Sequence, residues 1–431
     1  MKNFFRFEER GTTYRRETLA GITTFLSVAY ILVVNPLILS QSGMDKGAVF
    51  TATALTAIVG TVLIGILANY PIAIAPSMGL NSFFTFSVCI GMGISWEVAL
   101  TGVFVASVIF TILSLMKIRE KIINAIPEDL KYAIASGIGF FIAFIGLKNA
   151  GIIVANPDTF VSVGELSSPT TALAVIGLII TIFLLIRGIN GGIFYGMVIT
   201  IVIGMFMGLI KIPDTIIGSI PSLKPTFGVV FHHLGDILTP ELLAVIFTFL
   251  FVAFFDTAGA LIAMSSQAGL MKNNKIPNLG RALLSDSTAG MVGAIFGTST
   301  PATSVESSAG ISVGGRTGFT SLVIAACFAI AMFFSPILDV ITTEVTAPAL
   351  IIVGSLMAKQ ISNINWRKLE IVIPSFLTII MMPLTSSVAT GLAFGFILYP
   401  ICLMGQKRFK DIHPIMYVLS ILFILYFIFA V

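Results

Sequence analysis

The sequence predicts an all-α polytopic membrane protein with fourteen transmembrane segments, arranged as two inverted halves of seven. Three observations predict it. The 431 residues are 57% hydrophobic and 10% charged, with mean hydropathy +1.04, whereas soluble domains carry about 25% charged residues. Apolar runs recur from Leu19 to the C-terminus, many close to the ~20 residues that cross a bilayer as a helix. Finally, two Gly/Pro/Ser-rich interruptions match each other at 301 − 76 = 225 positions: Pro76-Ser77-Met78-Gly79-Leu80-Asn81-Ser82 and Pro301-Ala302-Thr303-Ser304-Val305-Glu306-Ser307. A pair of broken apolar segments at matching places in two halves points to a transporter binding site.

The first seven spans fall near 19–40, 47–69, 71–91, 96–116, 127–148, 169–187 and 190–210. A polar loop, 211–239, follows and carries Pro213, Pro221 and Pro225. The second seven fall near 240–268, 280–297, 298–312, 317–336, 342–358, 369–385 and 387–404. One more apolar stretch, 412–431, closes the chain. It has no charged face, which favours insertion over lying at the interface. No polar stretch is long enough for the ~50 residues a soluble domain usually needs.

Basic residues set the expected orientation. The N-terminal Lys2, Arg6, Arg10, Arg15 and Arg16 precede no cleavable signal pattern and are expected to stay in the cytoplasm. On that basis the even-numbered loops should be basic. They hold Lys117, Arg119 and Lys121; Arg187; Lys272, Lys275 and Arg281; Arg316; Lys359, Arg367 and Lys368. Lys407, Arg408 and Lys410 follow the fourteenth span. Odd loops hold few, chiefly Lys46, Lys211 and Lys224. The net charge of +4 is therefore a topology signal, and no nucleic-acid partner is expected. Seven spans per half invert the second half, so the repeat is related by a pseudo-two-fold axis in the membrane plane. A weaker echo supports it: Phe25-Leu26-Ser27-Val28-Ala29-Tyr30 against Phe249-Leu250-Phe251-Val252-Ala253-Phe254.

Little else suggests enzyme or metal chemistry. Cys89, Cys327 and Cys402 lie in apolar segments, with spacing that suits neither disulfides nor a metal. His232 and His233 sit in a loop beside Asp236, short of the ligands zinc needs. No metal and no cofactor are expected.

The candidate site is built on the two interruptions. Each begins as a Pro-bearing stretch and continues as a short helix. Non-helical backbone at membrane depth needs protein or water partners. Two half-helices that start near the midplane bring free N–H groups together at one spot, suited to a polar, planar or anionic ligand; the plainer reading is a kink with packing value only. Glu306 lies in the second interruption, and a carboxylate within a membrane costs at least ~2.5–3.5 kcal/mol. Asp256, mid-span in Phe255-Asp256-Thr257-Ala258-Gly259, is its candidate partner. Either acid could bind substrate N–H donors or carry a proton; the structural alternatives are a helix–helix hydrogen bond for Asp256 and helix capping for Glu306. Asn81 pairs with Glu306 across the repeat and offers both donors and acceptors. Phe83 follows it and could stack on a ring, although 36 Phe make a packing role the plainer one. Asp286, Asp339 and Glu344 fall near span ends, where water is within reach.

These stretches, together with Tyr14-Arg15-Arg16-Glu17-Thr18-Leu19-Ala20-Gly21, resemble the nucleobase–cation symporter family that includes uracil and xanthine permeases. The AzgA-like branch of adenine/guanine/hypoxanthine permeases is the better match. The likeness runs from near Phe5 to about Met416. It implies a core domain (19–116 and 240–336, spans 1–4 and 8–11) and a gate domain (127–210 and 342–404, spans 5–7 and 12–14). Spans 3 and 10 would each pair a short strand with a half-helix. The family's span-8 acid falls on Asp256, its span-10 acid on Glu306 and its span-3 Asn on Asn81. Uracil-type members carry a His four residues after the span-8 acid, where this chain has Ala260; the proton role then rests on Asp256 or Glu306. Ser77 stands where many branch members have Gly.

The resulting expectation is a multi-pass transporter of the plasma (inner) membrane that imports purine bases by proton symport. Substrate-binding residues would be Asp256, Glu306, Asn81 and Phe83, with backbone near Leu80, Ser304 and Val305. Sodium is the alternative coupling ion, and a homodimer through the gate domain the expected assembly. Two other classes compete. An anion transporter of the same fold would favour a neutral or basic residue at position 306. An intramembrane aspartyl protease would need a second Asp within reach of Asp256, usually in a Gly-x-Gly-Asp setting that is missing there.

Overall fold

Residues 2–116, 126–212, 215–270 and 277–429 are described by a computed structural model. Lys117, Arg119, Lys121, Pro213, Lys272 and Lys275, and the side chains of Asp256 and Asp339, lie outside the described residues.

The chain is mostly helical. Among the described residues, eight helices are long and apolar enough to cross a membrane: Tyr14–Ser40, Lys46–Ala68, Trp96–Leu115, Glu128–Asn149, Pro169–Ile186, Gly318–Leu338, Thr343–Asn363 and Val388–Gly405. Shorter apolar helices include Met78–Gly91, Gly192–Phe206 and Leu369–Leu384. The helices Pro240–Gln267 and Leu279–Phe296 begin and end within a residue of the stretches expected for them. Side-chain caps start several helices: Asp45 accepts from the Ala48 N–H, Ser168 from Thr171 and Ser387 from Thr390, each satisfying an N–H that has no partner within its helix.

The last apolar stretch forms the helix Pro414–Phe429. It packs against protein: Phe423 is fully buried and stacks on Phe396 at 5.5 Å, and the Ser420 hydroxyl donates to the Phe396 carbonyl at 2.7 Å.

Among the described residues, four short strands interrupt the helices: β1 (Ile74–Pro76), β2 (Ile153–Asn156), β3 (Phe160–Val163) and β4 (Pro301–Thr303). β1 pairs antiparallel with β4, across 225 positions of sequence. β2 and β3 form a hairpin that the all-α reading did not contain. Its turn is closed by Asn156, whose Oδ1 accepts from the Asp158 and Thr159 N–H groups at 2.8 and 3.0 Å, the local bond that suits Asn to turns.

The structure differs in detail in two more places. The first expected span is a single crossing, Tyr14–Ser40, whose α-helical stretches Tyr14–Val28 and Ile31–Ser40 are joined by a turn at Ala29-Tyr30 that keeps right-handed helical dihedrals. The Leu32 and Val33 N–H groups bond the Ala29 and Tyr30 carbonyls at 3.1 Å, the tight three-residue spacing that marks a local irregularity. Asp286 is also not at a wet span end. It is 2% exposed within Leu279–Phe296 and accepts from the Thr257 hydroxyl at 2.8 Å.

The N-terminus is tied in by a buried acid. Glu17 is fully buried; its carboxylate accepts from the Arg316 and Thr317 N–H groups at 3.1 and 3.2 Å and from the Thr317 and Thr320 hydroxyls at 2.8 and 2.6 Å. It therefore stands at the start of the helix Gly318–Ala331, where an anion meets orphan N–H groups and the positive dipole end.

Candidate functional site

The site grows from backbone that is not helical. Extended chain in the interior must place every N–H and C=O. Side chains of neighbouring helices do much of this around β1. The Thr61 hydroxyl accepts from the Ile74 N–H at 3.0 Å and donates to its carbonyl at 3.1 Å. Ser321 serves Ile72 in the same double manner, at 3.0 and 2.8 Å. Ser307 accepts from the Ala73 N–H at 3.0 Å. The strands do the rest: the Ser77 N–H donates to Thr300 at 3.2 Å and the Ser304 N–H to Ala73 at 2.9 Å.

Pro76 lies opposite Pro301 in this ladder. These are also the residues matched by the 225-position repeat, so the strand pair is centred on the sequence match. Pro suits a two-stranded pair, where one side of each strand needs no ladder donor. The helix Leu279–Phe296 ends at Gly297 with φ +104°, a left-handed conformation that Gly adopts freely. A Cβ there would also collide with Thr226, which closes the same end by donating to the Phe296 carbonyl at 2.8 Å.

From this pair the chain leaves in two directions. One arm becomes the helix Met78–Ser82, continued by the wider turns of Phe83–Gly91. The other becomes Ser307–Ser312. Glu306 sits at the start of the second. Its Oε1 accepts from the Tyr30 hydroxyl at 2.6 Å and its Oε2 from the Ser304 hydroxyl at 2.5 Å. Both lengths fall in the range of charge-assisted O–H···O⁻ bonds. Tyr30 is 2% exposed, Glu306 partly buried, and neighbouring Val305 is 46% exposed. The tip of this arm is open.

The first arm is closed. Asn81 is fully buried; its Nδ2 donates to Asn35 Oδ1 and its Oδ1 accepts from the Ser299 hydroxyl. Asn35 in turn donates to the Thr53 and Thr298 hydroxyls at 2.6 and 2.9 Å. The amide thus ties both arms to the helices Ile31–Ser40 and Lys46–Leu63 and is not open to a ligand in this conformation. Leu80 is fully buried, and Phe83 is 1% exposed and packed edge-on against Phe249 at 5.0 Å. The Ser304 N–H is spent on the strand pair. Asp256 lies within the helix Pro240–Gln267; its side chain is outside the described residues, and the next residue, Thr257, bonds Asp286.

A cavity beside the strand pair is lined by Ser107, Phe110, Phe249, Ala253 and Thr300. Its volume is about 10 Å³, room for about one water and far short of a purine ring. The exposed loop pair His233 and Asp236 stands 2.9 Å apart, and among the described residues no three His, Cys, Asp or Glu gather as metal ligands.

The sequence reading missed Tyr30 and Asn35. Tyr30 had a signal: it ends the Phe25–Tyr30 stretch whose repeat counterpart ends in Phe254, so one half carries a hydroxyl where the other has none. Asn35 is a lone amide in an apolar run beside Pro36, a place where a polar side chain needs a partner.

A protein-family model described as Permease family (Xan_ur_permease) matches residues 15–394. The guanine/hypoxanthine permease PbuG of Bacillus subtilis (strain 168) is 55% identical over 438 residues, covering 100% of both chains. The adenine permease AdeP of Escherichia coli (strain K12) is 40% identical over 432 residues, covering 100% of this chain and 96% of that one. Among solved structures, the transmembrane domain of the cyanobacterial bicarbonate transporter BicA superposes with a TM-score of 0.65 at 15% identity, covering 88% of this chain and 97% of that one. The murine anion transporter Slc26a9 in its inward-facing state gives 0.63 at 11% identity, covering 91% and 69%. At such identities the structural likeness carries the fold and nothing of the cargo.

Proposed function

The chain belongs to the Permease family, a transporter and not an enzyme, and from that premise we propose that it imports purine nucleobases across the plasma membrane as a proton symporter. The proposed frame is fourteen spans in two inverted halves, N-terminus in the cytoplasm. A core (19–116 and 240–336) rocks against a gate (127–210 and 342–404), which also forms the contact in a homodimer. Support for the cargo comes from the relatives, named as guanine/hypoxanthine and adenine permeases over the full chain length.

One observation carries the site: a partly buried carboxylate, Glu306, at the open tip of a paired strand break. Two hydroxyls occupy two of the roughly four acceptor positions of a carboxylate. The remaining positions suit ring or exocyclic N–H donors of a purine. Asp256 is the second acid of the same half, and proton binding at one of the two couples uptake to the gradient. Val305 and Ser304 border the ligand. Leu80, Asn81 and Phe83, buried here, support the site from behind, Asn81 through its hydrogen-bond network. An inorganic anion, the cargo of the solved neighbours, is disfavoured because Glu306 repels negative charge.

The test is uptake of labelled guanine, hypoxanthine and adenine by cells expressing the chain, with and without a protonophore. Saturable uptake of at least one base, abolished by the protonophore, is expected. Uptake that persists with the protonophore and requires sodium would replace the proton; absence of any purine uptake would end the reading.

A further inference from the structure

We propose that Tyr30 and Ser304 form a two-hydroxyl clamp that positions the Glu306 carboxylate and thereby sets purine affinity and discrimination. The proposal rests on the purine-transport reading and adds to it a positioning residue, Tyr30, from a helix otherwise remote in sequence.

Three features of the geometry carry it. The hydroxyls reach different oxygens of one carboxylate, Tyr30 at Oε1 and Ser304 at Oε2. One donor alone would leave the carboxyl free to rotate about its last bond; a donor on each oxygen fixes its plane. The plane in turn fixes where the two unspent acceptor positions point, and a flat purine edge is matched only if they are fixed. Next, the clamp is anchored on irregular backbone at both ends. Tyr30 occupies the tight turn between Tyr14–Val28 and Ile31–Ser40, and Ser304 ends the strand pair with its N–H tied to the Ala73 carbonyl at 2.9 Å. Lastly, Tyr30 is 2% exposed. A buried phenol needs a hydrogen-bond partner, and among the described residues Glu306 is the partner it has.

Kinetics of uptake in Tyr30→Phe, which keeps the ring and removes the hydroxyl, test the clamp. Losing one hydrogen bond to a charged group corresponds to about a ten- to hundredfold change. KM for the preferred purine is expected to rise by at least about tenfold, with the loss falling on KM more than on kcat. The spread of inhibition constants among guanine, hypoxanthine and adenine should narrow, because a carboxylate that turns freely discriminates less. A merely structural Tyr30 would lower the amount of protein in the membrane without narrowing that spread. Ser304→Ala removes the other donor by a smaller change and should shift KM and the spread in the same direction; it decides the question if Tyr30→Phe does not reach the membrane. Wild-type KM and wild-type spread in either variant that reaches the membrane overturn the clamp. If the wild-type chain takes up no purine, the transport reading itself has failed instead.

Discussion

The two arms of the strand break start alike and end differently. Pro76–Ser82 and Pro301–Ser307 share their Pro, their Ser and their antiparallel pairing. At matched positions one carries Asn81 and the other Glu306. Asn81 is sealed, with its amide spent inside the protein. Glu306 sits beside the exposed Val305 and, among the described residues, takes its donors from two hydroxyls. The difference follows from charge. A neutral amide can close a buried network at little cost, whereas a carboxylate without a cationic partner keeps demanding donors. The paired strands are alike, and the two arms differ in the charge at the matched position.

The strongest way to break this comparison is to make the open arm neutral. Glu306→Gln preserves shape and removes the charge. Uptake is expected to fall to background while membrane abundance and melting temperature stay near wild type, read by labelled-purine uptake beside immunoblotting and a thermal-shift assay. Wild-type uptake would remove Glu306 from the site.

Next comes charging the sealed arm. Asn81→Asp replaces the Nδ2 donor with an acceptor facing Asn35 Oδ1. An uncompensated buried charge costs about 3–5 kcal/mol, so a large fall in melting temperature and in membrane abundance is expected. A stable Asn81→Asp protein would show that the first arm is less closed than its contacts imply. The milder Asn81→Ala leaves Asn35 and Ser299 short of a partner, about 1–3 kcal/mol, with a lower melting temperature and weakened purine affinity. No change in either would leave Asn81 with no part in the site.

Much of this contrast could be read in the sequence. The Pro76/Pro301 match located both strands, and the long helices Pro240–Gln267 and Leu279–Phe296 lie where apolar length put them. What escaped depended on contacts far apart in sequence. Nothing local in Val28-Ala29-Tyr30-Ile31 signals an irregular turn, because no Pro or Gly stands there, and the partner of the Tyr30 hydroxyl lies 276 residues away. Asp286 was read as wet because it lies near a helix start, yet neighbouring helices bury it. The hairpin of β2 and β3 was hidden by the expectation of loops between spans, although the Asn156-Pro157-Asp158 turn was plain.

A smaller prediction tests how the asymmetry is propagated. Thr61 and Asp286 stand 286 − 61 = 225 positions apart, the spacing of the two arms. On the sealed side Thr61 supports β1 directly, holding both the N–H and the carbonyl of Ile74. On the open side its counterpart is an acid that binds a hydroxyl, Thr257, beside Asp256. A neutral hydroxyl suffices where the task is to satisfy extended backbone, whereas the acid bonds a side-chain hydroxyl on a neighbouring helix. Thr61→Val keeps the side-chain shape and removes the hydroxyl, leaving the Ile74 N–H and carbonyl without it. A loss of about 1–3 kcal/mol is expected, seen as a modest fall in melting temperature with purine affinity near wild type, because β1 bears on the sealed arm. A change in affinity larger than the change in stability would mean that the first strand also sets the position of Glu306, and the division into a scaffold arm and a binding arm would have to be redrawn.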